Sequence, residues 1–184
     1  MIHQDRIDRF IADLQHASPR YNVTPFGVWG RITLIQERHL NILSQALRPL
    51  GLTFNEYQVI VILLLSGAPY EMNPGTLIQQ KIMSSGGIAN LLNKMEAADL
   101  LQREPSQQDR RGVIVRLTPN GIRMARASLV AAGHIEQDLL SGMTEDEIEV
   151  LSILLRKTLR LVELSQTDRA AEQRQTDTPR LNNK

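Results

Sequence analysis

The chain has 184 residues, 42% of them hydrophobic and 22% charged, with 11 glycines and 8 prolines, a composition that fits one soluble domain with short appendages and excludes a large multidomain enzyme. It contains no cysteine, which removes disulfides, thiolate metal sites, cysteine nucleophiles and thiol switches outright. With a formal net charge of +1, any contact with a polyanion has to be made by a local basic segment.

Ile7, Phe10, Ile11 and Leu14 recur at helical spacing and predict an amphipathic helix over about 4–17, stopped by Ser18-Pro19. A second stripe, Ile32, Ile35, Ile42, Leu43, Ala46 and Leu50, predicts a long helix over about 26–49, interrupted by Arg38 and His39 and ended by Pro49 and Gly51. Thr53-Phe-Asn-Glu56 has capping-box spacing and opens a further helix. The following VIVILLL would suit a buried strand by propensity, but the cap and the stop at Ser66-Gly67 favour a helix buried on all sides. Asn73-Pro74 starts a short helix to about Lys81. Ser84 or Ser85 caps the next, in which Ile88, Leu91, Leu92 and Met95 face inward while Asn90, Asn93 and Lys94 face outward.

From Leu101 the period changes to two, and Val113, Val115 and Leu117 alternate with Ile114 and Arg116 across a polar connection at 106–112, which predicts a two-stranded hairpin. Arginines 103, 110, 111, 116, 123 and 126 make this the basic part of the chain, against an acidic run at Glu136, Asp138, Glu145, Asp146, Glu147 and Glu149. Thr118-Pro119 caps a helix to about Leu140. Thr144-Glu-Asp-Glu147 is a second capping box, before a stripe of Ile148, Leu151, Leu155, Leu159 and Val162. The tail at 166–184 has no such stripe and is expected to be disordered.

The apolar stretch Val59 to Leu65 is far short of the roughly 20 residues a bilayer crossing needs. The opening MIHQDRIDRF carries acids where a signal peptide would be basic and then apolar, so a cytoplasmic protein with no membrane partner is expected. His3, His16, His39 and His134 are scattered without metal-ligand spacing, and no nucleophile–base pair or phosphate-cradling glycine loop is present. No metal, cofactor or catalysed reaction is expected.

A compact helix pair placed directly before a basic hairpin is the order of a winged helix-turn-helix, whose second helix enters the major groove while the hairpin follows the backbone. The run QQDRRGVIVRLTPNG after LLNKMEAADLLQRE resembles the wing and recognition helix of the MarR family of bacterial transcription regulators. The extra N-terminal helix, VTPFGVWGRI and LSGAPYEMNPGTLIQ are similar to that family's pectinase-regulator and urate-responsive branch. The resemblance implies a mainly α fold with a small β-hairpin and a homodimer. Residues 1–50 and 119–165 would supply the dimerisation helices, 51–118 the DNA-binding domain and 166–184 the tail. It also implies that Arg111 enters the minor groove with Asp109 orienting it by a charge-assisted pair, and that Arg110 meets phosphate.

The remaining DNA-binding candidates are Ser84, Ser85 and Gly86 at a helix start, as plain caps or as caps that also take a phosphate, and Asn90, Asn93 and Lys94 as base readers. The urate-responsive relatives place a tryptophan, an aspartate and an arginine where this chain has Leu14, Gln58 and Leu91, so urate is not the implied ligand. Arg31, Arg38 and His39, polar breaks in the long helix, are candidates for an anionic or aromatic effector or for salt bridges across a dimer. The leading expectation is a ligand-released repressor on a palindromic operator of double-stranded DNA. The alternative is a helical protein-interaction module of the same fold that has lost operator reading, as the apolar Leu91 and Gly86-Gly87 would allow.

Overall fold

Asp5 caps the first helix, α1 (Arg6–Ala17), by accepting hydrogen bonds from the N–H groups of Ile7 and Asp8 while the Asp8 carboxylate accepts from Asp5 N. In the computed structural model, residues 4–80, 85–105 and 112–176 are described, apart from the side chains of 85, 86 and 170–176. The second helix, α2 (Thr24–Leu47), tightens into a 3₁₀ turn at Arg48–Leu50, where Pro49 is accommodated, and ends on Gly51 at φ 68°. Then follow α3 (Phe54–Leu65), β1 (Glu71–Met72), α4 (Pro74–Gln79), α5 (Ser85–Ala97), β2 (Leu101–Pro105), β3 (Val113–Leu117), α6 (Pro119–Leu140) and α7 (Glu145–Thr176).

By packing, the chain divides into two compact units, Met1–Glu136 and Gln137–Lys184. In the first unit Leu47, Val59, Ile60, Leu63, Leu77, Met95 and Val115 are fully buried and gather α2, α3, α4, α5 and the sheet around one core. α1 lies apart from that cluster: Ile7 and Ile11 fit the groove left by Gly30 and Gly27 on α2, where an added Cβ would come within 3.0 Å and 2.8 Å of their side chains. Arg31 of α2 pairs with both Asp5 and Asp8 across the same contact. The second unit carries α7, whose Val150, Ile153, Leu154, Leu159, Leu161 and Leu164 are all more than half exposed.

Three expectations are corrected. The hairpin is part of a three-stranded antiparallel sheet in the order β1-β3-β2, because Glu71 and Met72 pair with Arg116 and Val115; a two-residue strand carries no period for a sequence reading to find. The tail is not irregular from residue 166, since α7 continues to Thr176. The missing apolar stripe speaks of tertiary packing, whereas Ala170, Ala171, Glu172, Gln173 and Arg174 are good helix formers. Finally, α3 is not buried on all sides: Val59, Ile60 and Leu63 are at 0%, but Leu65 at the helix end is 73% exposed. Among the described residues no helix is long and apolar enough to cross a membrane.

Candidate nucleic-acid interface

The outward helix α5 is fixed first by its apolar face, with Ile88, Leu92 and Met95 buried against the core. Its C-terminus closes in a Schellman arrangement, in which Leu100 N donates to Met95 O and Asp99 N to Glu96 O with Asp99 in the left-handed region at φ 54°. The chain then enters β2, and the turn is tied to the start of α6: Thr118 Oγ1 donates to Asp99 O at 2.6 Å and accepts from Gly121 N at 2.9 Å. Helix, sheet and following helix are thus joined at one corner. Leu101 pairs with Leu117 and Pro105 with Val113, which extends the β2–β3 ladder away from that corner towards residues 106–111.

The structure brings Asn90, Asn93 and Lys94 onto the exposed side of α5, as the periodicity predicts. Two of the three are already engaged. Asn93 Oδ1 accepts from Arg103 Nη1 at 2.6 Å, and Lys94 Nζ lies 3.0 Å from Glu56 Oε1. Ser85 and Gly86 begin the helix, while Ser84, the Ser85 side chain, and Asp109, Arg110 and Arg111 fall outside what is described.

Arg103 and Glu56 are the residues the sequence reading missed. From β2, Arg103 reaches Asn93, Glu96 Oε2 (3.2 Å) and Ala89 O (3.4 Å), and its backbone N donates to Glu96 Oε1 at 3.0 Å. Their spacings across a turn of undefined shape gave no signal beyond Arg103's charge. Glu56 was legible as a cap, and it does bind Thr53 N and Oγ1, but its second partner on α5 was not. The basic segment is also less bare than its arginine count implies, because Arg116 is held between Glu71 and Glu104. Those partners raise the Arg116 pKa, led by the hydrogen bond to Glu71.

Of the effector candidates, Arg31 and Arg38 line one hollow of about 440 Å³ with Asp5, Arg6, Leu34 and Ile35. His39 is not part of its lining; its Nε2 meets Glu136 Oε1 of α6 at 2.8 Å. Arg31 is also satisfied, as its ion pairs with Asp8 and Asp5 raise its pKa. Among the described residues there is no group of three or more His, Cys, Asp or Glu placed to hold a metal.

A helix offered outward beside a small antiparallel wing, both braced on a helical core, defines a winged helix-turn-helix protein. Comparison with known proteins agrees. The model described as "MarR family" matches residues 50–112, the stretch from α3 into the wing. The chain is 25% identical over 152 residues to the HTH-type transcriptional regulator PecS of Dickeya dadantii, covering 81% of this chain and 90% of that protein. It is 26% identical over 129 residues to the multiple antibiotic resistance protein MarR of Salmonella typhimurium, covering 70% and 88%. A mutant MarR from E. coli, solved in complex with operator DNA, superposes with a TM-score of 0.65 at 25% identity, over 74% of this chain and 95% of that one. The chain is thus similar to the MarR family of winged-helix transcription regulators, through the family match at 50–112 and through relatives that align along most of its length.

Proposed function

We propose that the chain is a homodimeric repressor that binds a palindromic operator and is released from it by a small molecule. The observation that carries this reading is α5, whose apolar face is buried in the core and whose Asn90 side is exposed beside the β2–β3 ladder. The MarR relative in complex with operator DNA supports it. In this reading the N-terminal residues of α5, with Ser84, Ser85 and Gly86, approach the duplex and offer free amides to phosphate. Asn90 faces base edges, with Asn93 and Lys94 further along the same side. Arg111, oriented by Asp109, enters the minor groove and Arg110 meets phosphate. Residues 1–50 and 119–165 hold two such units together, so that two recognition helices reach successive major grooves.

The effector is a small anion, aromatic or otherwise, drawn to Arg31 and Arg38 in the hollow against α1. Because Asp5 and Asp8 already occupy Arg31, such a ligand would have to displace them, exchanging the α1–α2 ion pairs for its own. His39, paired with Glu136, answers to the α2–α6 contact instead.

The test is selection of preferred duplexes from a random pool, followed by gel shifts over a salt series. Arg111→Ala should weaken binding to all sequences and lower the salt slope by about 0.9, while Asn90→Ala should change sequence preference. Weak binding indifferent to sequence, together with a co-purifying protein, would favour the interaction-module reading.

A further inference from the structure

The apolar face of α5 decides which side looks outward but sets the fine rotation and the slide only loosely, because hydrophobic contact is non-directional. Base reading needs both to be set. The polar contacts of α5 are arranged to do this from two flanks. On one, the Arg103 guanidinium reaches Ala89 O, Asn93 Oδ1 and Glu96 Oε2, positions one helical turn apart along a single edge of the helix. Glu96 in turn accepts the backbone N–H of Arg103, a donor on the free edge of strand β2. On the other flank, Lys94 reaches Glu56, whose side chain is 4% exposed and held by Thr53 N and Oγ1 at 2.8 and 2.7 Å, so the carboxylate is a fixed post.

We infer that Arg103 and Glu56 are positioning residues that set the orientation of the recognition helix, fastening it through Asn93 and Glu96 on one side and Lys94 on the other, without contacting DNA themselves. The inference rests on the proposed DNA reading of α5. It assigns Asn93 and Lys94 to holding the helix and leaves base discrimination to the N-terminal half, Asn90 foremost. A phosphate-contacting arginine would keep its donors for solvent and its charge unpaired. Arg103 instead has Glu96 at 3.2 Å and spends Nη1 and Nη2 on α5. Lysine, with a point charge in place of a planar fork, cannot bridge the same three acceptors.

The experiment uses the full-length chain, the duplex selected above and an unrelated duplex of equal length, with binding measured over a salt series. Arg103→Gln and Arg103→Lys should each cut the ratio of specific to non-specific affinity by about tenfold, the scale of one misread base pair, and leave the salt slope as in wild type. Arg103→Glu should lose the ratio as well, and adding Glu96→Arg should restore most of it, which a loss of general stability would not do. Glu56→Gln should lower the ratio with unchanged slope. Hydrogen exchange without DNA should show faster exchange at 88–97 in Arg103→Gln with α3 unchanged. An unaltered ratio, or a slope shallower by about 0.9 with the ratio kept, the signature of a lost phosphate contact, overturns the assignment. A wild-type chain that prefers no duplex removes the operator reading instead. The exchange data then decide whether the clamp itself stands.

Discussion

Lys94 Nζ stands 3.0 Å from Glu56 Oε1, an ion pair whose acid is buried and whose base is two-thirds exposed, and it joins the cap of one helix to the last turn of another. Burial raises the Glu56 pKa, but the N–H and hydroxyl of Thr53 and the ammonium of Lys94 lower it further, so the net position is below the ordinary 4.5. A carboxyl depressed in the folded state stabilises fully above its unfolded-state pKa, and that contribution is lost as pH falls through the folded value. Glu56→Gln keeps an acceptor for Thr53 without the charge. It should lower stability near neutral pH by about 1 kcal/mol and make the acid limb below about pH 4 less steep than in wild type. Parallel acid limbs in chemical denaturation would take Glu56 out of the acid transition.

Gly121 sits at the corner where α6 leaves the sheet, and a Cβ there would lie 1.8 Å from Leu100 O. The obstacle is backbone, held by Leu100 N to Met95 O and by Thr118 N to Leu100 O, so it cannot turn aside as a side chain could. Gly121→Ala should therefore destabilise the chain by about 3 kcal/mol and disturb the α5–β2 junction. A thermal midpoint within two degrees or so of wild type, on the ordinary relation between stability and midpoint, would show that the corner yields.

Asp99 occupies a left-handed position at φ 54° just past α5, yet among the described residues its own side chain makes none of the hydrogen bonds there; Thr118 and Asn120 bond its carbonyl oxygen. Glycine adopts this backbone at no steric cost and keeps the carbonyl. Asp99→Gly should leave stability unchanged or raise it by up to about 1 kcal/mol. A clear fall in the thermal midpoint would mean that the aspartate carboxylate has a role of its own.

The elements with a long apolar period or a paired cap were readable before any coordinates. Thr53 and Glu56, Asn73 and Pro74, and Thr144 and Glu147 each start a helix where their spacing places it. What escaped was made by contacts between residues far apart in sequence. β1 exists because β3 offers Val115 and Arg116 as partners, and Arg116 is neutralised by Glu71, 45 residues earlier. The outward side of α5 was likewise foreseen from periodicity, but the capture of Asn93 and Lys94 by Arg103 and Glu56 depends on how two turns close. Arg31 was singled out for its charge in an apolar stripe, and its partners on α1 lie 23 and 26 residues away.

The last helix poses the question of what covers it. Along α7, Leu151 is 38% exposed, Leu155 45%, Leu154 56% and Leu159 59%, one apolar face about two and a half turns long. Leaving such a face in water costs about 25 cal/mol for each Å² of apolar surface, and a second copy of the same helix presents a complementary surface under two-fold symmetry. If the proposed dimer buries this face, the thermal midpoint of the wild-type chain should fall on dilution, since association stabilises by mass action. Leu155→Glu should sediment as a monomer with a midpoint independent of concentration, and it should bind a palindromic duplex no better than a single half-site. A wild-type chain that is monomeric by sedimentation at tens of micromolar, far above the affinity of an obligate dimer, would remove both the dimer and the two-site grip on DNA that depends on it.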